Sequence, residues 1–171
     1  AVTEYLYSYV GLCDLPDGTV CFRLGENERC PFLDDDNLVD PTMLAELSKA
    51  MDADTKLGLA APLSLQHYDN NAIWTLGSGY DFWTSRPVNV AERIPLADYK
   101  GDLTTPQPTN YSPNAFMVTR AAWDAVGGFD ALYRVMYEEA DFGYRIIRAG
   151  FTGAIVPKAR TNHYGAICKG D

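Results

Sequence analysis

Two acidic clusters carry most of the chemistry open to this chain. Asp34-Asp35-Asp36 follows the short apolar run Phe32-Leu33, and Glu138-Glu139-Ala140-Asp141 opens a helical run much later in the chain. At a strand end, alternate aspartates can reach a common point. Mg2+ or Mn2+ is typically held by one or two carboxylates together with phosphate oxygens of a substrate. Carboxylates crowded in a cleft raise one another's pKa, which poises one of them as a general base. Both clusters also have a plainer explanation, because negative charge near a helix start is favoured by the helix dipole. One metal-binding end and one base suit transfer of a group from a phosphate-bearing donor. His163, in Arg160-Thr161-Asn162-His163, offers a neutral imidazole as a further metal ligand, although a lone histidine near a strand end is more often exposed or hydrogen-bonded. Trp74 and Trp83 could stack on a sugar ring or simply anchor a loop by burial. Trp123 reads as core and His67 as surface.

The elements that must position these groups follow from periodicity and turn chemistry. Tyr5 to Cys13 and Thr19 to Leu24 read as two strands joined by the turn residues Asp14-Leu15-Pro16-Asp17-Gly18. Asp40 is suited to cap a helix, Pro41 to its first turn, and Met43, Leu44, Leu47, Ala50 and Met51 share one face. Leu57 to Ala61 predicts a buried strand. Pro62 to Pro113 predicts a long, partly ordered excursion, since prolines are frequent from Pro87 onward and periodicity is weak. Ala115 to Thr119 predicts a strand, and Arg120 to Val126 a short helix closed by Gly127-Gly128. Glu138 to Ala149 predicts a longer helix stopped by Gly150, and Thr152 to Val156 a last strand. Strands alternating with helices indicate an α/β layer fold.

The bulk properties narrow the partners. With 171 residues, 47% hydrophobic and 22% charged, the chain is large enough for one domain with a core. Its formal net charge is −9 with no basic run, which argues against nucleic acid and anionic membranes as partners. An anionic ligand would need local positive charge, most simply a divalent cation. No transmembrane segment is expected, and no basic leader region is present ahead of Glu4. Cys13, Cys21, Cys30 and Cys168 form no C-x-x-C pair, so reduced thiols and a cytoplasmic location are expected.

Taken in order, these segments resemble family 2 glycosyltransferases of the rhamnosyltransferase-like branch. Phe32-Leu33-Asp34-Asp35-Asp36-Asn37 followed by Val39-Asp40-Pro41 is similar to the family's D-x-D strand end and next helix. His67-Tyr68-Asp69-Asn70 through Gly77 resembles its central segment, and Asn114 to Arg120 its acceptor-side strand. Val126-Gly127-Gly128-Phe129-Asp130, Tyr137 to Gly150, and Pro157 through His163 are similar to its G-G-F-D, E-D-x-D-x-x-x-R-x-x-x-x-G and closing P-x-x-x-x-x-H patterns. The likeness runs from about residue 32 to residue 165, and its weight lies in the order and spacing of the motifs together.

The resemblance implies an α/β GT-A fold, a Rossmann-like mixed sheet flanked by helices, incomplete at its N-terminal end. It implies one domain over residues 1–171, with 1–33 as a reduced nucleotide-side region and 34–171 as the metal and acceptor side. The implied activity is inverting, metal-dependent transfer of a single sugar from a nucleotide-diphosphate sugar to a hydroxyl of a glycan or lipid-linked acceptor, in glycan or polysaccharide synthesis. Implied ligands of Mg2+ or Mn2+ are Asp36, Asp34 and His163. Asp34 and Asp35 face the nucleotide-sugar, Glu139 is the base with Glu138 beside it, and Trp74 and Asp141 lie on the acceptor side. Several features depart from the family. Its longer run of strand-helix repeats is missing ahead of Asp34, as is the helix expected between Asn27 and Phe32. Asp14 to Thr19 lacks the serine of D-x-x-S-x-D-G-T, and Glu139 stands where the family has Asp. Arg145 and Arg148 are not followed by Trp, so the Q-x-x-R-W motif of chain-polymerising members is absent. The alternatives are a non-catalytic carbohydrate-binding or scaffold fragment of a GT-A protein, and more remotely a metal-dependent phosphohydrolase.

Overall fold

A computed structural model of the chain describes residues 11–14, 20–23, 29–34, 36–67, 71–84, 86–133 and 137–164. β1 (Gly11–Asp14) and β2 (Val20–Arg23) pair antiparallel, as the turn residues between them predict. The main sheet is built on β5 (Leu57–Gln66) and β11 (Thr152–His163), which run parallel along their length. β10 (Ala115–Thr119) lies antiparallel on the free edge of β5, and β3 (Arg29–Leu33) lies antiparallel on β10. β4 (Asn37–Val39) pairs antiparallel with the last residues of β11. β6 (Ala72–Thr75) pairs with the end of β5, and the two-residue β9 (Gln107–Pro108) with the start of β11. The hairpin of β7 (Ser78–Asp81) and β8 (Arg86–Asn89) stands beside this sheet.

Helices cover both faces, which explains the composition of β5. Every residue from Leu57 to Leu65 is buried, as expected for a central strand with no solvent face. On one face α1 (Met43–Ala53) sets Met43, Leu47 and Met51, spaced at four residues, against Leu57, Ala60, Met117, Val156 and Ala159. On the other face lie α2 (Arg120–Val126) and α3 (Glu138–Arg148), whose Ala122, Phe142 and Ile146 meet Leu59, Ala61, Phe116 and Val118. Phe32, Phe116, Trp123, Phe129 and Phe142 form one aromatic block, with centroids 5.0 Å apart for Phe32–Phe116 and 4.6 Å for Phe129–Phe142. This block fastens β3 and β10 to both helices.

The helix ends follow local chemistry. The Asp40 carboxylate accepts the Thr42 N–H at 2.9 Å and its hydroxyl at 2.6 Å, so Asp40 shapes the turn ahead of α1 and the helix starts only at Met43. The Thr119 hydroxyl caps α2 through the Ala122 N–H. At its far end Gly127 and Gly128 take left-handed φ values of 75° and 80°. α3 carries Glu138, Glu139 and Asp141 in its first turn and Arg145 and Arg148 in its last, the charge order its dipole favours.

The segment from Pro62 to Pro113 is not the loose excursion expected. β5 continues through Pro62 to Gln66 and pairs with β6, β7 pairs with β8, and β9 joins β11. The strand tolerates its proline because the register with β11 breaks there: Val156 faces Pro62, Arg160 faces Leu63, and Pro157–Ala159 have no partner on β5. Each proline without an N–H therefore sits at an irregularity rather than within a regular ladder. β11 likewise runs past the expected stop at Val156 to His163.

α3 is seated by Gly143, where a Cβ would overlap the Asn110 carbonyl oxygen and meet Tyr111 Cβ at 2.6 Å. Gly143→Ala is expected to destabilise the fold by about 1–3 kcal/mol in urea unfolding, despite alanine's better helix propensity. Unchanged or increased stability would show that α3 does not pack this closely.

Candidate functional site

The two acidic clusters meet at one edge of the sheet. β5 and β11 both end there, β3 delivers Asp34 and Asp36 to it, and the antiparallel β10 begins there after Asn114. The carboxyl ends of parallel strands in an open α/β sheet are where ligands commonly bind. The His67 N–H donates to the His163 carbonyl at 3.0 Å, joining the two strand ends, and the His67 ring stacks on Tyr164 at 3.9 Å. The Tyr164 N–H in turn donates to the Asp36 carbonyl at 2.9 Å.

Asp36 and His163 form the pair best placed for a cation. His163 Nε2 lies 3.1 Å from Asp36 Oδ2, with the two side chains 15% and 34% exposed. Neighbouring ligands of an octahedral ion are about 3 Å apart when each bond is about 2.1 Å, so the pair can share one ion without moving far. Among the described residues no group of three or more His, Cys, Asp or Glu side chains converges on a metal-sized gap. The donor set therefore fits an ion completed by phosphate oxygens and water, rather than an all-protein cage. Asp34 is exposed at the same strand end and its N–H donates to the Asn114 carbonyl at 2.9 Å. Asp35 lies outside the described residues.

Asn37 supports this edge from β4. Its Nδ2 makes long contacts of 3.4 Å to Asp36 Oδ1, 3.4 Å to the Asp34 carbonyl and 3.5 Å to the Asn114 carbonyl. Its Oδ1 accepts from the buried Thr161 hydroxyl at 3.4 Å.

The three carboxylates of α3 have separate environments. Asp141 is held by Arg145, whose Nε donates to its Oδ2 at 2.7 Å while Nη1 donates to the carbonyls of Val126 and Gly128 at 2.9 and 2.7 Å. That places Asp141 in a brace between α3 and the end of α2. Glu139 is the carboxylate whose pKa is raised. Burial is the main cause, with the Glu138 charge next and a smaller push from Asp34, against hydrogen bonds from its own N–H and that of Asn114. Glu138 Oε2 is buried without a hydrogen-bond partner.

Trp74 reaches the edge from β6, with its ring 5.2 Å from the His163 ring and its Nε1 buried and unpartnered. Trp83, by contrast, is 98% exposed on the β7–β8 turn. Trp123 is in the core block as expected.

Two features were not legible from spacing. One is an aromatic shelf beside Glu139, built from Tyr80, Phe82, Tyr111, Tyr137 and Tyr144, with ring centroids 5.5–6.5 Å apart along it. Burial pushes the Tyr111 hydroxyl up to about 12, and the neighbouring tyrosines and Glu139 add to the shift. The alternation of Tyr80 and Phe82 was the available signal. The other is Asn114, which follows a Ser-Pro pair and has a left-handed φ of 70°. Cys30, the described free thiol, is buried and pushed up to about 11, so it stands apart from this chemistry.

Comparison with known proteins bears on the fold. The chain covers 83% of itself and 28% of the other chain when superposed on a crystal structure of GalNAc-T7 with UDP, GalNAc and Mn2+, at a TM-score of 0.62 and 20% identity. The chain has a GT-A fold. The mixed sheet and flanking helices are those of a GT-A glycosyltransferase. In sequence it is 32% identical over 90 residues to N-acetylglucosaminyl-diphospho-decaprenol L-rhamnosyltransferase of Mycobacterium tuberculosis, in strains CDC 1551 / Oshkosh and ATCC 25618 / H37Rv alike. That match covers 52% of this chain and 28% of the length of those relatives. No family model matches the chain. Among the described residues no helix is long and apolar enough to cross a membrane.

The raised pKa of Glu139 has a consequence for stability. At low pH the carboxyl is neutral both folded and unfolded, and nothing is lost. As pH rises, the unfolded chain ionises first, so the folded state loses relative stability until its own raised pKa is passed. Glu139→Gln removes this penalty. The variant's advantage in urea midpoint is expected to grow as pH rises above the ordinary carboxylate range, and to level off once the folded-state carboxyl has ionised. A wild type at least as stable as the variant on that plateau would contradict the burial argument.

Proposed function

We propose that this chain is the metal- and acceptor-side part of an inverting glycosyltransferase, which moves one sugar from a nucleotide-diphosphate sugar to a hydroxyl of a glycan or lipid-linked acceptor. The observation that carries this reading is the shared edge: Asp36 pairs with His163 at the strand end that carries Asp34, and the Asn114 main chain bonds both the Asp34 N–H and the Glu139 carboxylate. The GT-A fold and the rhamnosyltransferase relatives support it.

In this reading Asp36 and His163, with Asp34 beside them, hold Mg2+ or Mn2+, and Asp34 and Asp35 face the nucleotide-sugar. When bound, such a cation supplies neutralisation of charge on the diphosphate. Glu139 accepts the proton of the acceptor hydroxyl. The freed oxygen lone pair forms the new bond to the anomeric carbon, while the bond to the diphosphate breaks on the opposite face and its electron pair leaves with the phosphate. That single displacement inverts the anomeric centre. A buried carboxylate suits the role, since a raised pKa makes it a stronger base near neutrality. Glu138 stays beside it as the neighbour that sustains the shift. Trp74 and the tyrosine shelf supply faces on which an acceptor ring can stack. Asp141 contributes at one remove, by holding α3 through Arg145 rather than by presenting a free carboxylate.

Two substitutions in the full-length protein test the assignment. Asp36→Ala is expected to weaken Mn2+ binding at least tenfold in the presence of a nucleoside diphosphate, read by calorimetry. Glu139→Gln is expected to lower turnover by about two to four orders of magnitude with donor affinity kept, read as release of nucleoside diphosphate. Normal metal affinity in the first variant would remove Asp36 from the cation site. Near-normal turnover in the second would transfer the base to another group.

A further inference from the structure

Asn114 combines features that a turn residue ahead of a strand does not need. Its φ of 70° lies in the left-handed region. Asparagine tolerates that conformation better than most residues, but glycine adopts it at no steric cost. Both of its main-chain groups are engaged. Its carbonyl accepts the Asp34 N–H at 2.9 Å and a long contact from Asn37 Nδ2 at 3.5 Å. Its N–H donates to the Glu139 carboxylate. Its side chain is idle, because Nδ2 is buried with no hydrogen-bond partner. An asparagine present only for its backbone commonly bonds its amide to the local main chain. Here the amide keeps an unsatisfied donor inside the protein, which costs free energy that glycine would not incur.

The main-chain contacts of Asn114 place the residue between two groups assigned above. On one side is Asp34, at the strand end assigned to the diphosphate and its cation. On the other is Glu139, assigned to the acceptor hydroxyl. Whatever lies between a leaving diphosphate and an attacking hydroxyl is the transferred sugar. We infer that Asn114 reads the transferred sugar, its side-chain amide donating to a hydroxyl oxygen of that ring while its backbone positions Glu139. The inference rests on the glycosyltransferase reading above. It assigns Asn114 two separable tasks, one in the side chain and one in the backbone.

The two tasks separate by substitution in the full-length protein. Asn114→Gly keeps the left-handed backbone and removes only the amide. It is expected to weaken binding of the intact nucleotide-sugar by about five- to tenfold, to leave the nucleoside diphosphate affinity unchanged, and to leave the melting temperature unchanged or raised. Asn114→Ala forces a Cβ into the left-handed region and should lower kcat further than the glycine variant, because it disturbs the N–H that holds Glu139. Equal weakening toward nucleotide-sugar and nucleoside diphosphate would move the amide to the phosphates and overturn the inference. A rise confined to the acceptor KM, unchanged binding throughout, or a fall in melting temperature matching the loss of affinity would overturn it as well. If the wild type releases no nucleoside diphosphate from any nucleotide-sugar, the transferase reading itself fails and takes the inference with it. Normal wild-type turnover with an indifferent Asn114→Gly variant sinks the inference alone.

Discussion

β5 and β11 run side by side from Leu57 to Gln66 and from Thr152 to His163, and their parallel pairing determines where every acidic group of the site ends up. Both strands terminate at the same edge, where the His67 N–H closes on the His163 carbonyl. β4 then pairs with the last residues of β11, which brings Asp36 to the His163 ring. β10 pairs with β5 from the other side and starts at that edge, so Asn114 lies beside Asp34. α3 leads back toward the opposite end of β11, which leaves its acidic first turn at the site. Two helical layers over β5, buried from Leu57 to Leu65, keep this pairing from shifting.

The edge concentrates like charges in a chain that is already negative overall. Glu138 and Asp34 both act on Glu139 as like charges, and Arg145 is committed to Asp141 and to the end of α2. Part of the strain is relieved by main-chain donors, namely the N–H groups of Asn114 and Glu139. Part remains as the raised pKa of Glu139 and the unpartnered oxygen of Glu138. Such an arrangement lowers stability, which is common where charge is arranged for function; in the proposed reading a cation and a ligand would offset that cost.

Much of this was legible in the sequence, for reasons that can be stated residue by residue. The four-residue spacing of Met43, Leu47 and Met51 announced α1, and the acidic start and basic end of α3 announced its direction. Asp34 and Asp36 at the end of an apolar run, and Glu139 at the opening of α3, mark the candidate residues in the sequence itself. Pro62 was misleading, because a proline argues against a central strand unless the partner strand is irregular opposite it, and that irregularity depends on β11. Asp141 looked equivalent to its neighbours because the brace from Arg145 involves carbonyls far away in sequence. In the sequence Asn114 marks only the start of a strand. Its left-handed backbone and idle amide exist only in the folded surroundings, where Asp34 and Glu139 approach it from distant parts of the chain.

In the proposed reading one sheet edge holds the cation on Asp36 and His163 and the base on Glu139, with the sugar between them. A crystal structure of the full-length protein with Mn2+ and a non-hydrolysable nucleotide-sugar tests it most directly. Mn2+ is expected bonded to Asp36 and His163 at about 2.1 Å, with the anomeric carbon lying between the ion and the Glu139 carboxylate. A cation bound away from both residues, or a sugar ring placed outside the space between Asp34 and Glu139, would contradict it.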